Sequence, residues 1–196
     1  MSDQNRSIQY LLNSTDKTVF TTQDLNKIWQ YENYPSLIHR IQYLNKTNKI
    51  AKLKQGVYSF TGRSINPLEM ANKLRTPSYI SFETVLQKEG IIFQWDQRIT
   101  LASNQSINLT VADTNIVFRK LKPNILLNQQ GITKQNNYFI ACKERAILDT
   151  LYINSSFTFD NLRNVDFDKL KQLLIIYQTA SLKPVLNKLE QYAKSY

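Results

Sequence analysis

The sequence predicts an α+β fold in two parts, and three observations carry that prediction. In the first third, apolar residues recur at helical spacing and then give way to a short alternating hairpin. From Ile91 to Ile140 the chain turns to short segments rich in β-branched and aromatic residues, separated by Asn, Gln, Asp and Gly. From Lys143 onward the helical period returns. Helices, then a mainly antiparallel sheet, then helices is an α+β order, and 196 residues suffice for one large or two small domains, each with its own core.

The elements follow in order. Ile8, Leu11 and Leu12 mark a short first helix. Thr21 or Thr22 caps a second, with Asp24 in its first turn at the positive end of the helix dipole, and Leu25, Ile28 and Trp29 form its apolar face. The linker Gln30–Tyr34 leads to Pro35, which suits a first turn because no amide partner is needed there. A third helix runs from about Ser36 to Lys46, with Leu37, Ile38, Ile41 and Leu44 on one stripe. Ile50-Ala51-Lys52-Leu53-Lys54 then alternates, Gln55-Gly56 turns, and Val57-Tyr58-Ser59-Phe60 returns, with Lys52 and Lys54 expected on the outer face.

Three helices and a basic hairpin form the pattern of a winged helix-turn-helix, assigned to residues 1–64. In that motif the third helix enters the major groove and the wing touches the DNA backbone or the minor groove. The outward side of the third helix carries Ser36, His39, Arg40, Gln42, Tyr43 and Lys46, groups suited to phosphates and base edges. Lys49, Lys52, Lys54 and Gln55 extend this candidate DNA-binding set into the hairpin. Of these, Ser36, His39 and Tyr43 are the better candidates for base readout. His39 is the only histidine, which leaves no histidine pair for a metal site or a dyad.

Residues 65–196 are read as a mixed α/β domain with a mainly antiparallel sheet flanked by helices. Asn66 caps a helix carrying Leu68, Met70, Ala71 and Leu74, and Ser81 is the expected cap of a second that ends at Gly90. Strands are expected at Ile91–Phe93, Arg98–Ala102, Ile107–Val111, Ile116–Leu121 and Tyr138–Ala141. Helices follow at Lys143–Ile153, at Phe167–Gln178 with Asp166 as cap, and after Ser181 with Pro184 in the tolerated first turn.

Composition narrows the function. The chain carries 25 Lys+Arg against 15 Asp+Glu, a formal charge of +10, which points to an anionic partner. Residues 1–66 hold nine basic and four acidic residues, and 67–196 hold sixteen and eleven, so each part is +5 while the first is half as long. No acidic residue lies between Glu32 and Glu69, an interval that contains Arg40, Lys46, Lys49, Lys52, Lys54 and Arg63. No apolar run approaches the roughly 18 residues of a membrane span, and the first residues lack a secretory apolar core. One Cys and one His leave no internal disulfide and make a zinc site unexpected, which fits a reducing, prokaryotic cytoplasm. No glycine-rich phosphate loop, carboxylate pair or triad is evident, so neither a cofactor nor catalysis is expected. Asp113 and Asp149 are the acids a metal-dependent nuclease would need.

Three stretches resemble the AbiEi family of antitoxins and transcriptional regulators from type IV toxin–antitoxin and abortive-infection systems. They are Lys54-Gln55-Gly56-Val57-Tyr58-Ser59-Phe60, then Pro67-Leu68-Glu69-Met70-Ala71 leading to Tyr79–Ile91, and Ala141-Cys142-Lys143-Glu144-Arg145-Ala146-Ile147-Leu148-Asp149. Departures are Thr84-Val85 where the family favours Ser-Ala, Glu89 where it favours His, and Lys54-Gln55 in place of Gly or Arg. The resemblance implies an autorepressor that binds inverted repeats in its own promoter, in double-stranded DNA. It also implies an antitoxin that opposes a nucleotidyltransferase-like toxin, often without a stable complex, in antiviral defence. Within the helix of the third stretch, Glu144 and Arg145 are expected to pair and Asp149 to tie the helix to neighbouring strands. Two other readings stay open at this point: an orphan regulator of phage defence or of a mobile element, and an interaction module that meets an acidic protein instead of DNA.

Overall fold

The computed structural model describes residues 16–194. The chain is α+β and divides into two compact units between Leu74 and Arg75. The expected first helix, Ile8 to Leu12, and Tyr196 lie outside the described residues.

The first unit contains β1 (Val19–Thr21), α1 (Thr22–Trp29), α2 (Tyr34–Lys46), β2 (Ile50–Lys54), β3 (Val57–Phe60) and α3 (Pro67–Leu74). Its strands form an antiparallel sheet in the order β1-β3-β2. Thr21 caps α1 through a capping box: its hydroxyl accepts from the Asp24 N–H at 3.1 Å, and Asp24 accepts from the Thr21 N–H at 2.9 Å. Asn33 caps α2 by accepting from the Ser36 N–H at 2.9 Å, which leaves Pro35 in the first turn and starts the helix earlier than Ser36. Gly56 takes φ +77° in the β2–β3 turn, a conformation that costs little only for glycine. The core joins Phe20, Leu25, Leu37, Ile41, Leu44, Ile50, Tyr58 and Phe60, with the Phe20 and Phe60 rings edge-on at 4.9 Å.

The division falls later than the 64/65 boundary expected from the sequence, and Glu69 shows why. Buried in α3, it accepts from both the N–H (2.9 Å) and the hydroxyl (2.7 Å) of Thr18, just before β1. The Thr18 hydroxyl in turn accepts from the Asn66 N–H at 2.9 Å, and Asn66 caps α3 by accepting from Leu68 and Glu69. α3 is thereby bonded to the start of the first sheet.

The second unit contains β4 (Ser78–Ile80), α4 (Glu83–Lys88), β5 (Ile99–Ser103), β6 (Ile107–Val111), β7 (Thr114–Lys120), α5 (Pro123–Leu126), β8 (Ile132–Gln135), β9 (Tyr138–Ala141), α6 (Lys143–Ile153), α7 (Phe167–Leu174), a 3-10 turn (Ile175–Tyr177) and α8 (Leu182–Lys194). The sheet order is β6-β7-β5-β4-β9-β8. The pairs β6–β7, β4–β5 and β8–β9 are antiparallel, while β5–β7 and β4–β9 are parallel, so the sheet is mixed. Ile91–Phe93 is not a strand. Ile91 and Ile92 are buried, but the Ile91 carbonyl accepts from the N–H groups of Asp160 and Asn161, in a loop. Ser81 is not a cap either, because its hydroxyl donates to Asp149 at 2.7 Å. Thr100 on β5 does that work, accepting from the Thr84 N–H at 3.0 Å. Asp166 does cap α7, accepting from the Lys169 N–H at 2.9 Å. Among the described residues, no helix is long and apolar enough to cross a membrane.

Candidate functional site

The candidate nucleic-acid face begins with α2. Leu37, Ile41 and Leu44 are buried and Ile38 is half-buried, so the helix is pinned along one side. His39, Gln42, Tyr43 and Lys46 follow the i, i+3, i+4, i+7 spacing on the other side, and all four are exposed. Ser36 and Arg40 are half-buried on the flank of that row. The Arg40 guanidinium stands 6.0 Å from the centre of the Trp29 ring, a cation–π distance that anchors it to α1. Tyr34, read from the sequence as linker, opens the helix and is 67% exposed. The only sequence signal for it was its place just before Pro35.

The hairpin is less regular than its sequence alternation suggests. The β2–β3 register shifts between Lys52 and Lys54, a bulge that breaks the two-residue period. Lys52 and Gln55 are exposed, but Lys54 is half-buried and its Nζ donates to the Leu74 carbonyl at 3.4 Å. Lys54 therefore complements the carbonyl end of α3 rather than standing free on an outer face, which corrects the expectation. Lys49 is half-buried at the entry to β2.

Electrostatics reinforce the contrast between the cap and the outward row. Burial pushes the Asp24 carboxyl up, but bonds from Lys17 and Thr21 outweigh it and bring its pKa down to about 2. Asp24 is thus spent on the cap and on Lys17 at 2.9 Å. The row on α2 carries no acid to neutralise it.

The second unit contains a concentration of chemistry that the sequence disclosed only in part. Asp149 on α6 is fully buried and accepts from the hydroxyls of Tyr177 (2.6 Å), Ser81 (2.7 Å) and Tyr79 (3.0 Å). Arg145, one turn earlier and equally buried, approaches it at 3.4 Å. Arg145 also donates to the carbonyls of Ile125 (2.7 Å) and Gln130 (2.9 Å) and to the Tyr79 hydroxyl (3.2 Å). Gly131 lets the Gln130 carbonyl come this close: it sits at φ +74°, and a Cβ there would lie 3.1 Å from Arg145 Cβ. Burial pushes the Asp149 carboxyl up, against the lowering effect of Arg145 and the three hydroxyls. Burial opposes the charge of Arg145, yet Tyr177, Asp149 and Tyr79 hold its pKa above the ordinary value. Every strong group here is turned inward and bonded, so the cluster joins α6 to β4, α5 and the 3-10 turn. Glu144 does not pair with Arg145, because adjacent helical residues point apart; it pairs with Lys169 on α7 at 2.9 Å.

Asp113 lies exposed in the β6–β7 turn and Asp149 is buried in α6, and no three potential metal ligands cluster among the described residues. No family model and no curated protein matches the chain. Among solved structures, the crystal structure of the RV2827C protein from Mycobacterium tuberculosis is similar at 13% sequence identity and a TM-score of 0.49, over 87% of this chain and 70% of that one.

Proposed function

We propose that the first unit is a winged helix-turn-helix that binds a specific sequence in double-stranded DNA, with α2 in the major groove and the β2–β3 hairpin as the wing. The observation that carries the proposal is the exposed row His39, Gln42, Tyr43 and Lys46, backed by the buried stripe Leu37, Ile41 and Leu44. The sheet order β1-β3-β2, with both helices inserted between β1 and the hairpin, supports it. So does the absence of acids between Glu32 and Glu69. With the AbiEi-like stretches, this makes the chain a cytoplasmic autorepressor and antitoxin, acting by binding rather than catalysis against a nucleotidyltransferase-like toxin.

The test is a gel shift with the chain's own upstream region. Replacing Lys46 and Lys52 by Ala should lower the slope of log affinity against log salt by about two. His39→Ala or Tyr43→Ala should change base preference more than overall affinity. Binding and salt slope that stay the same in all these variants would remove α2 and the wing as the DNA surface. For the antitoxin role, deleting the gene should be lethal only when a neighbouring toxin gene is present. A silent deletion beside an intact toxin gene refutes that role.

A further inference from the structure

The two edges of the second unit's sheet are built differently. Edge strand β8 carries Lys134, a charge that discourages another strand from pairing. The opposite edge, β6, reads Ile107-Asn108-Leu109-Thr110-Val111 and contains no charge and no proline. Its register with β7 is unbroken from Ile107↔Phe118 to Val111↔Thr114. Ala112 and Asp113 both have positive φ, so they form a two-residue turn closed by the hydrogen-bonded pair Val111 and Thr114. Alternation along the ladder then aims the backbone groups of Ile107, Leu109 and Val111 at β7, and those of Asn108 and Thr110 away from it. Asn108 and Thr110 are exposed, and their outward backbone groups have no protein partner among the described residues.

The side chains repeat this incompleteness. Ile107 and Leu109 lie opposite Phe118 and Ile116, which are buried, and so share the face turned toward the core. Ile107, Leu109 and Val111 are themselves only half-buried. The apolar face stops unfinished at this edge.

We propose that β6 pairs with β6 of a second copy of this chain, antiparallel, about a two-fold axis through Leu109. The strand is self-complementary about that residue: apolar, polar, apolar, polar, apolar. Asn108 of each copy meets Thr110 of the other, and the two such pairs exchange four backbone hydrogen bonds. Leu109 faces Leu109, and Ile107 faces Val111, so each copy completes the other's apolar row. No like charges meet along the strand. Asp113 at one end falls opposite Gln105 of the second copy, near Lys120, whose N–H bonds to Ser106, so the acid meets a neighbouring base at each end of the seam. The inference rests on the second unit alone and stands or falls separately from DNA binding.

Sedimentation equilibrium of the full chain at tens of micromolar should give the dimer mass. Asn108→Pro removes an outward N–H while sparing every β6–β7 bond, and should raise the dimer dissociation constant about tenfold or more. Leu109→Lys sets two ammonium groups at the axis and should yield monomer at the same concentrations, with circular dichroism confirming an unchanged fold. In a Cys142→Ser background, Leu109→Cys should oxidise to a covalent dimer, whereas Thr133→Cys on the β8 edge should not. A wild-type chain that sediments as monomer overturns the proposal. So does a dimer that survives both Asn108→Pro and Leu109→Lys and forms no Leu109→Cys cross-link.

Discussion

Two helices, α2 in the first unit and α6 in the second, carry comparable polar chemistry to opposite ends. On α2 the groups His39, Gln42, Tyr43 and Lys46 stand in solvent, over an apolar underside that holds the helix without them. On α6, Glu144, Arg145, Asp149 and Thr150 are all buried, and each is bonded within its unit. A ligand can reach the first set, whereas the second is consumed by the fold. Polar residues on a helix therefore mark a binding surface only when the structure leaves their bonding capacity unused.

That contrast can be tested by stability, starting with the largest effect. Arg145→Ala or Asp149→Ala strands a buried charge and should cost about 3–5 kcal/mol in thermal or urea unfolding. A loss near that of a surface substitution would show that the network is not closed as described. Tyr177→Phe removes one donor from Asp149 and should cost about 1–3 kcal/mol. Asp24→Ala deletes half of the α1 capping box and should cost about 1 kcal/mol. Because the Asp24 pKa is lowered from 3.8 to about 2, its contribution is complete above the ordinary carboxylate range and is lost as pH falls toward 2. Melting curves of Asp24→Asn should accordingly lose that part of the acid dependence and keep the rest. His39→Ala, Gln42→Ala and Lys46→Ala should each move stability by less than about 0.5 kcal/mol, while DNA affinity or base preference changes. A large stability loss in this last set would place α2's outward row in the fold and not at an interface.

Much of the architecture was legible because it follows from local chemistry. A threonine cap at Thr21 or Thr22 with Asp24 in the first turn, Pro35 in a first turn, Asn66 and Asp166 as caps, and the 3.6-residue stripe on α2 all depend on residues within one or two turns. What was misread depended on distant partners. Ser81 fits a cap by spacing, but Asp149, far along the chain, holds its hydroxyl. Ile91–Phe93 has strand composition, yet its backbone is bonded by the loop at Asp160 and Asn161. β4 and β1, at three residues each, are too short to display a period at all.

The candidate site divides in the same way. The outward row of α2 and the acid-free interval around it are properties of spacing and charge, visible in one dimension. Lys54 left the free surface, and Arg40 was drawn to Trp29, only once α3 and α1 had packed where they do. The sequence by itself determined several helix caps, the amphipathic stripe of α2, the first hairpin and the density of positive charge, because each is set by residues close together in the chain. Tertiary structure alone decided that Glu69 binds α3 to the first sheet, that Asp149 and Arg145 close a buried network, and that β6 lies at an edge of its sheet. In those cases the partners are brought together by strand order, and strand order is not encoded in any local period.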